Sequence, residues 1–245
     1  MFTFDLMKER IHKEKYRIRT FDIDQKQAAT IPAIVQIMQE ASMQHTFHLK
    51  ASFWDMEPYN VTWVLLRKDI QLFNPIFFND IVEVLTCPSH FDRFFAYRDY
   101  RCLNAEGECI ASATSAWTLM NLNTRKINPM LPQFLELPRE SINGDALCDF
   151  KLKNEEGMEI KRMYQVSIYD LDWNNHINNA VLIKFMLSAI PEAQLNRLQL
   201  RFISEAGLDD EIDILYKAKN QQILLEAFNK TRQQTVALAL IYLSN

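Results

Sequence analysis

Glycine is scarce, at four in 245 residues, and neither G-x-G-x-x-G nor G-x-x-x-x-G-K-[S/T] occurs. The chain therefore lacks the glycine-rich phosphate cradles of dinucleotide and nucleotide sites. Cysteine is as sparse. Cys87, Cys102, Cys109 and Cys148 form no C-x-x-C pair and have no histidine partners at zinc spacing. That excludes a zinc ribbon and leaves reduced structural thiols as the expectation. Positive charge is in deficit, with 27 Lys and Arg against 31 Asp and Glu, so nucleic acid is not an expected partner. No apolar run approaches the ~20 residues of a membrane span, and membrane insertion is not expected. The stretch Met1 to Lys15 is charged and has no apolar core of a signal segment, which points to a cytoplasmic protein.

What is abundant is apolar: 48% of residues, including sixteen Phe, enough for a sizeable core. The most informative stretch is Tyr169 to Asn179, a polar run holding Asp172, Asn174 and His176, followed by Ala180 to Ile190, in which only Lys184 and Ser188 are polar. An apolar surface that wide belongs to a helix enclosed on most sides. Asn178 or Asn179 is a fitting N-cap. Asp172, Asn174 and His176 alternate, so an extended approach to the helix would put their side chains on one face. Asn and Asp also gather at turns and caps for local hydrogen-bonding reasons, so the cluster alone leaves a structural role open.

Elsewhere the periodicity predicts a strand over Tyr16 to Ile23 and a helix from Ile31 with Thr30 as N-cap and Pro32 in its first turn. Strands follow over Val61–Phe73, Ile81–Thr86, Phe94–Leu103 and Cys109–Met120, with Ala105-Glu106-Gly107 as a hairpin turn. Pro129, Pro132, Pro138 and a charged stretch interrupt the pattern, with at most a helical turn near Gln133 to Glu136. It then restarts: strand Met163–Ile168, the buried helix, strand Leu198–Ile203, and three alternating segments to Tyr242.

The restart is a repeat. Phe21-Asp22-Ile23-Asp24 aligns with Tyr169-Asp170-Leu171-Asp172, Ile34 to Met38 with Leu182 to Met186, and Asn79-Asp80-Ile81 with Asp210-Glu211-Ile212. Two copies of strand, helix and antiparallel meander predict an α+β tandem (double) hotdog, two long buried helices each wrapped by a curved antiparallel sheet. The expected division is a first hotdog over 1–125 with a pocket, a connection over 126–160, and a second hotdog over 161–245 carrying the polar cluster. The repeat also sorts the polar cluster. Where the second copy has Asn174 and His176, the first has Lys26 and Ala28, so the turn itself does not require them. One site per chain, in the second copy, is the implication.

Asp172-Trp173-Asn174-Asn175-His176-Ile177-Asn178-Asn179 resembles the Asp-x-Asn-x-His-x-Asn-Asn signature of the acyl-acyl carrier protein thioesterases. Trp63-Val64 entering a long strand and Glu205 after another also fit, and the resemblance spans nearly the whole chain. It implies Asp172, Asn174, His176 and Glu205 as catalytic residues. The implied reaction is hydrolysis of the thioester joining a fatty acyl chain to an acyl carrier protein. No cofactor is implied, since the phosphopantetheine arrives with the substrate. Plant members usually place Cys after that Glu, whereas Ala206 stands here, so no thiol nucleophile is expected. The lack of a transit segment suits a bacterial cytoplasmic enzyme. Ile34, Met38 and Trp63 are candidate pocket walls, with plain core packing as their commoner role. Monomer and homodimer are both compatible with the repeat. An acyl-CoA thioesterase or a non-catalytic acyl-binding protein of the same fold remains an alternative.

Overall fold

The computed structural model describes residues 10–144 and 147–244. The chain begins with strand β1 (His12–Arg17), then helix α1 (Ile31–His48) and the short α2 (Phe53–Met56). Strands β2 (Val61–Leu72), β3 (Ile81–Phe91), β4 (Phe95–Leu103) and β5 (Cys109–Asn121) follow. The two-residue β6 (Ile127–Asn128) and α3 (Pro132–Leu135) lead toward β7 (Glu159–Gln165) and α4 (Asn179–Leu187). Strands β8 (Leu195–Phe202), β9 (Glu211–Lys219), β10 (Gln222–Asn229) and β11 (Gln234–Leu243) complete it.

One sheet holds all eleven strands, in the order β1-β3-β4-β5-β2-β8-β11-β10-β9-β7, with β6 beside β5. Read from the β2–β8 seam outward, the two halves run in the same sequence, so β2, β5, β4, β3 and β1 have β8, β11, β10, β9 and β7 as counterparts. This is the tandem hotdog. The halves join through antiparallel pairing from Arg67↔Arg201 to Gln71↔Arg197. Across that seam Arg197 holds Asp69 bidentately at 2.9 and 2.6 Å.

Each helix forms for local reasons. Thr30 Oγ1 accepts from Ala33 N–H at the start of α1, with Pro32 in the first turn, where its missing N–H is no loss. Asn178 Oδ1 accepts from Ala180 N–H at the start of α4. In α4 Ala180, Leu182, Ile183, Phe185 and Met186 are buried, so the helix is enclosed on most sides as its sequence predicts. One apolar cluster spans both copies and includes Met38, Tyr100, Ile183 and Leu200. A second, with Leu49, Phe91, Leu119 and Phe134, closes the far end of the first copy. No described helix is long and apolar enough to cross a membrane.

Three expectations shift. The strand expected over Met163–Ile168 runs over Glu159–Gln165, and Ile168–Asp170 forms a short 3-10 turn. The first strand is His12–Arg17 rather than Tyr16–Ile23, because Asp22 to Ala29 folds as a turn: Asp24 N–H donates to Ala28 C=O, and Ile23 bridges Ala29. The repeat register between β2 and β3 is displaced by one. Phe73 and Asn74 both donate to Ile110 C=O, as Ile203 and Ser204 donate to Val236 C=O. Glu205 therefore has Pro75 as its first-copy counterpart, where aligning Asn79 with Asp210 would set Asn74.

Candidate active site

The loop 172–176 is a closed turn rather than an extended approach. Asp172 N–H donates to His176 C=O at 2.7 Å, and Leu171 bridges Ile177. Asn175 carries φ of +61°, a conformation that Asn tolerates better than most side chains. Asp172 Oδ1 accepts from the backbone N–H groups of Asn174 at 2.8 Å and His176 at 3.2 Å. The first copy repeats this almost atom for atom. Asp24 Oδ1 accepts from Lys26 at 2.8 Å and Ala28 at 3.1 Å, and Gln27 has φ of +63°. The aspartate belongs to the turn in both copies; the Asn and His side chains are what the second copy adds.

A further tie brings the remaining carboxylate in. Ile177 N–H donates to Ala206 C=O at 2.8 Å, which fixes the loop against the segment leaving β8. Gly207 permits that approach, since a Cβ there would lie 3.2 Å from the Arg232 guanidinium and 3.5 Å from the Asn175 carbonyl. Glu205 is thereby set opposite His176, with Nε2 3.2 Å from Oε2. Both side chains are about one-third exposed, at 36% and 35%, so water reaches them.

A cavity of about 180 Å³ runs from this loop into the first copy. Asp172, Trp173, Asn174 and Asn179 of the second copy line it together with residues of α1, β2, β4 and β5. Its other walls include Trp63, Leu65, Phe91 and Trp117. Of the expected site residues, Asp172 and Asn174 thus stand in the cavity wall, and His176 and Glu205 form a pair on the same loop system without lining it.

Trp63 is a wall residue as expected, held by its Nε1–H donating to Ala51 C=O at 2.9 Å. Ile34 and Met38 are not. Both are buried in the core that α1 makes with the sheet and α4. The face of α1 turned to the cavity is Gln39, Ser42, Met43 and Thr46, a helical stripe displaced around the axis from Ile34 and Met38. Its polarity hid it from a search for apolar walls.

Two features carried little signal in the sequence. Arg125, in the turn after β5 with φ of +56°, donates to Glu205 Oε2 across 80 residues of chain. Trp173 packs against Phe53 and Trp54 of α2, with ring centroids 3.8 and 6.1 Å away. Trp54 and Trp173 are more than half exposed, at 58% and 52%. An aromatic residue inside a polar loop is the one hint of that cluster in the sequence.

The four thiols are free and take no part in this arrangement. Burial pushes Cys87, Cys102 and Cys148 up to about 12 and raises Cys109 as well, so all stay protonated near neutrality. Ala206 is fully buried.

Residues 9–137 match the model of the acyl-ACP thioesterase N-terminal domain, and residues 152–239 match that of the C-terminal domain. The chloroplastic oleoyl-acyl carrier protein thioesterase 2 of Arabidopsis thaliana is 24% identical over 92% of this chain. A chloroplastic palmitoyl-acyl carrier protein thioesterase of Gossypium hirsutum is 25% identical over 84%. The chain spans 68% and 54% of those two proteins' own lengths. In fold it is similar to an acyl-ACP thioesterase from Bacteroides thetaiotaomicron, with TM-score 0.87 at 18% identity, covering 96% of this chain and 98% of that one. The 12:0-ACP thioesterase of Umbellularia californica gives 0.81 at 18% identity, covering 96% and 97%. With both domain models matched in order, and the signature loop closed against Glu205 between the two halves, the chain belongs to the acyl-ACP thioesterase family, a family of thioester hydrolases.

Proposed function

We propose that this chain hydrolyses the thioester of fatty acyl-acyl carrier protein, releasing the free fatty acid and the carrier thiol. The observation that carries the reading is the placement of the His176–Glu205 pair, 3.2 Å apart, on the loop whose Asp172 and Asn174 line a largely apolar cavity. A thioester has a good leaving group, so the reaction needs an activated water and a stabilised oxyanion more than a strong acid. In this reading the acyl chain enters the first copy and its carbonyl lies at Asn174, near the N-terminus of α4. A preorganised amide donor there is worth about 3–4 kcal/mol to the developing oxyanion. His176, oriented by Glu205, takes a proton from the attacking water, help that typically contributes ~10²–10⁴-fold. The tetrahedral intermediate then collapses, the C–S bond breaks, and the proton passes to the departing thiolate. Asp172 holds the loop through its two amide bonds and acts as a positioning residue. Arg125 shares the Glu205 oxygen with His176 and keeps that carboxylate in place. The reaction so written uses only protein side chains and water, and phosphopantetheine enters as part of the substrate.

The partner is then an acyl carrier protein, and the setting a bacterial cytoplasm; the Bacteroides likeness in fold is compatible with that setting. The test is steady-state hydrolysis of matched acyl-acyl carrier protein and acyl-CoA thioesters across chain lengths. The reading expects a higher kcat/KM for the carrier-protein substrates. A preference for CoA would assign the chain to acyl-CoA hydrolysis, and tight binding without turnover would make it an acyl-binding protein.

A further inference from the structure

The cavity wall and the cleft beside it each hold a cation that a plain hydrocarbon chain does not need. Arg98 on β4 is 7% exposed and lines the cavity; Lys68 on β2 is 4% exposed and lines an adjoining narrow cleft. The two spaces share Gln39, Ser42 and Trp117 among their walls. Both residues pair in register with Ser115 of β5, so Lys68, Ser115 and Arg98 form one row across three strands, on one face of the sheet. With strands about 4.8 Å apart, the two α-carbons are about 10 Å from each other. The face is the inner one: Arg98 Nη1 lies 3.2 Å from His45 Nδ1 of α1 and donates to Thr86 Oγ1 at 3.2 Å.

Neither cation has a carboxylate partner among the described residues. The nearest carboxylates in sequence, Asp69 and Asp99, each follow a cation by one residue and so point to the opposite face. Asp69 is engaged there by Arg197 and Gln199, and Asp99 accepts from the N–H groups of Ile142 and Asn143. The Lys68 ammonium sits over the face of Tyr100, 4.4 Å from its centroid. Burial lowers the pKa of both groups, because a dry environment disfavours their charged forms. Buried charge without a partner is rare in folded proteins because it opposes folding. Arg98 in the cavity wall and Lys68 in the cleft adjoining it, in one row of the sheet, point to an occupant that supplies a further acceptor.

Building on the thioesterase reading, we infer that this cavity prefers acyl chains bearing an oxygen function, hydroxyl or carboxylate, on their distal part, anchored by Arg98 and Lys68. The acyl carbonyl stays at Asn174 and the reaction is unchanged; the two cations select the chain. A carboxylate would complete the charge pairing, and a hydroxyl would accept from one N–H.

The test compares dodecanoyl-, ω-hydroxydodecanoyl- and dodecanedioyl-acyl carrier protein, with the decanoyl and hexadecanoyl counterparts of each. The parent protein should favour an oxygenated member over the plain one by at least ~10-fold in kcat/KM at the length that fits, the scale of discrimination set by buried polar groups left unpaired. Lys68→Met and Arg98→Leu should each bring that ratio to about one, chiefly by losing turnover of the oxygenated substrate, while Arg98→Lys keeps part of it. Lys68→Met removes a buried charge, which favours folding, and it carries the test if Arg98→Leu fails to fold. A parent enzyme that favours the plain chain at every length would overturn the inference and leave the hydrolase reading intact. If no thioester is turned over, the hydrolase reading has failed, and the subsite is read from calorimetric binding of free dodecanoate, ω-hydroxydodecanoate and dodecanedioate. Tighter binding of the oxygenated acids, lost in Lys68→Met, upholds it; equal binding refutes it.

Discussion

The duplicated turn offers an internal control that few active sites possess. Asp24→Ala and Asp172→Ala remove the same two backbone hydrogen bonds, at 2.8 and 3.1 Å in one copy and 2.8 and 3.2 Å in the other. A bond to a charged acceptor contributes ~1.5–3 kcal/mol when sheltered. Asp24 is exposed and Asp172 only partly buried, so water replaces much of what is lost, and about 1 kcal/mol for each bond is the better figure. Each variant should therefore lose about 2 kcal/mol, which for a chain of this size lowers Tm by about 4–8 °C. The melts should look alike and the activities should not. Single-turnover hydrolysis of acyl-acyl carrier protein should stay within a few-fold of the parent for Asp24→Ala and fall at least ~10²-fold for Asp172→Ala, whose loop places Asn174 and His176. Asp172→Asn, which keeps an acceptor oxygen, should recover turnover to within about tenfold of the parent. An Asn variant with native Tm and the activity of the Ala variant would refute the reasoning, because the carboxylate would then be acting on the substrate and not on the turn.

Four further outcomes follow from the same geometry. Arg125→Gln removes a half-exposed partner of Glu205, so Tm should move by no more than about 3 °C while kcat/KM drops about tenfold; unchanged kinetics would remove Arg125 from the site. Alkylating reagents under native conditions should leave turnover nearly intact, since the thiols are held protonated, three of them near 12; stoichiometric inactivation traced to one cysteine with the fold unchanged would contradict a water-driven reaction. Lys68→Met should raise Tm by at least about 2 °C at neutral pH. The sign follows from a folded pKa below the unfolded one: the penalty for the buried ammonium is present at low pH and fades as pH rises toward the ordinary lysine value, so the variant's advantage should shrink in alkaline buffer. Turnover of acyl-acyl carrier protein should fall with salt more steeply than that of a short neutral thioester, if local Lys and Arg guide an acidic carrier; equal salt sensitivity would rule that out.

The tandem fold was legible because its period survives in the sequence: Asp22-Ile23-Asp24 and Asp170-Leu171-Asp172 mark the same turn twice, and the buried stripe of α4 reads directly from Ala180 to Met186. His176 stood out through its contrast with Ala28 in the first copy, whereas Glu205 was marked only by the family resemblance, since an acidic residue after a strand is ordinarily a surface residue. The alternation of Asp172, Asn174 and His176 misled about backbone shape, because a turn closed by Asp172 and a positive φ at Asn175 leaves the same residue pattern as a strand. The one-residue displacement that sets Pro75 against Glu205 was hidden, as apolar alternation cannot date an insertion to a single loop position. Arg125 gave no local signal, its partner lying 80 residues on. Ile34 and Met38 take the commoner of their two expected roles, core packing, while α1 turns Gln39, Ser42 and Thr46 toward the cavity, polar residues that apolar periodicity does not mark.

The claim that chemistry resides in the second copy alone is tested most directly by single-turnover hydrolysis in one variant of each copy, His176→Ala in the second and Lys26→Ala, at the counterpart of Asn174, in the first, each first shown to be folded by thermal melt. The account predicts a loss of at least ~10²-fold for His176→Ala and a rate within a few-fold of the parent for Lys26→Ala. His176→Ala combined with Glu205→Gln should lose far less than the product of the two single effects, because residues that act as one unit are not additive. Equal losses at Lys26 and His176 would contradict it and make both copies catalytic.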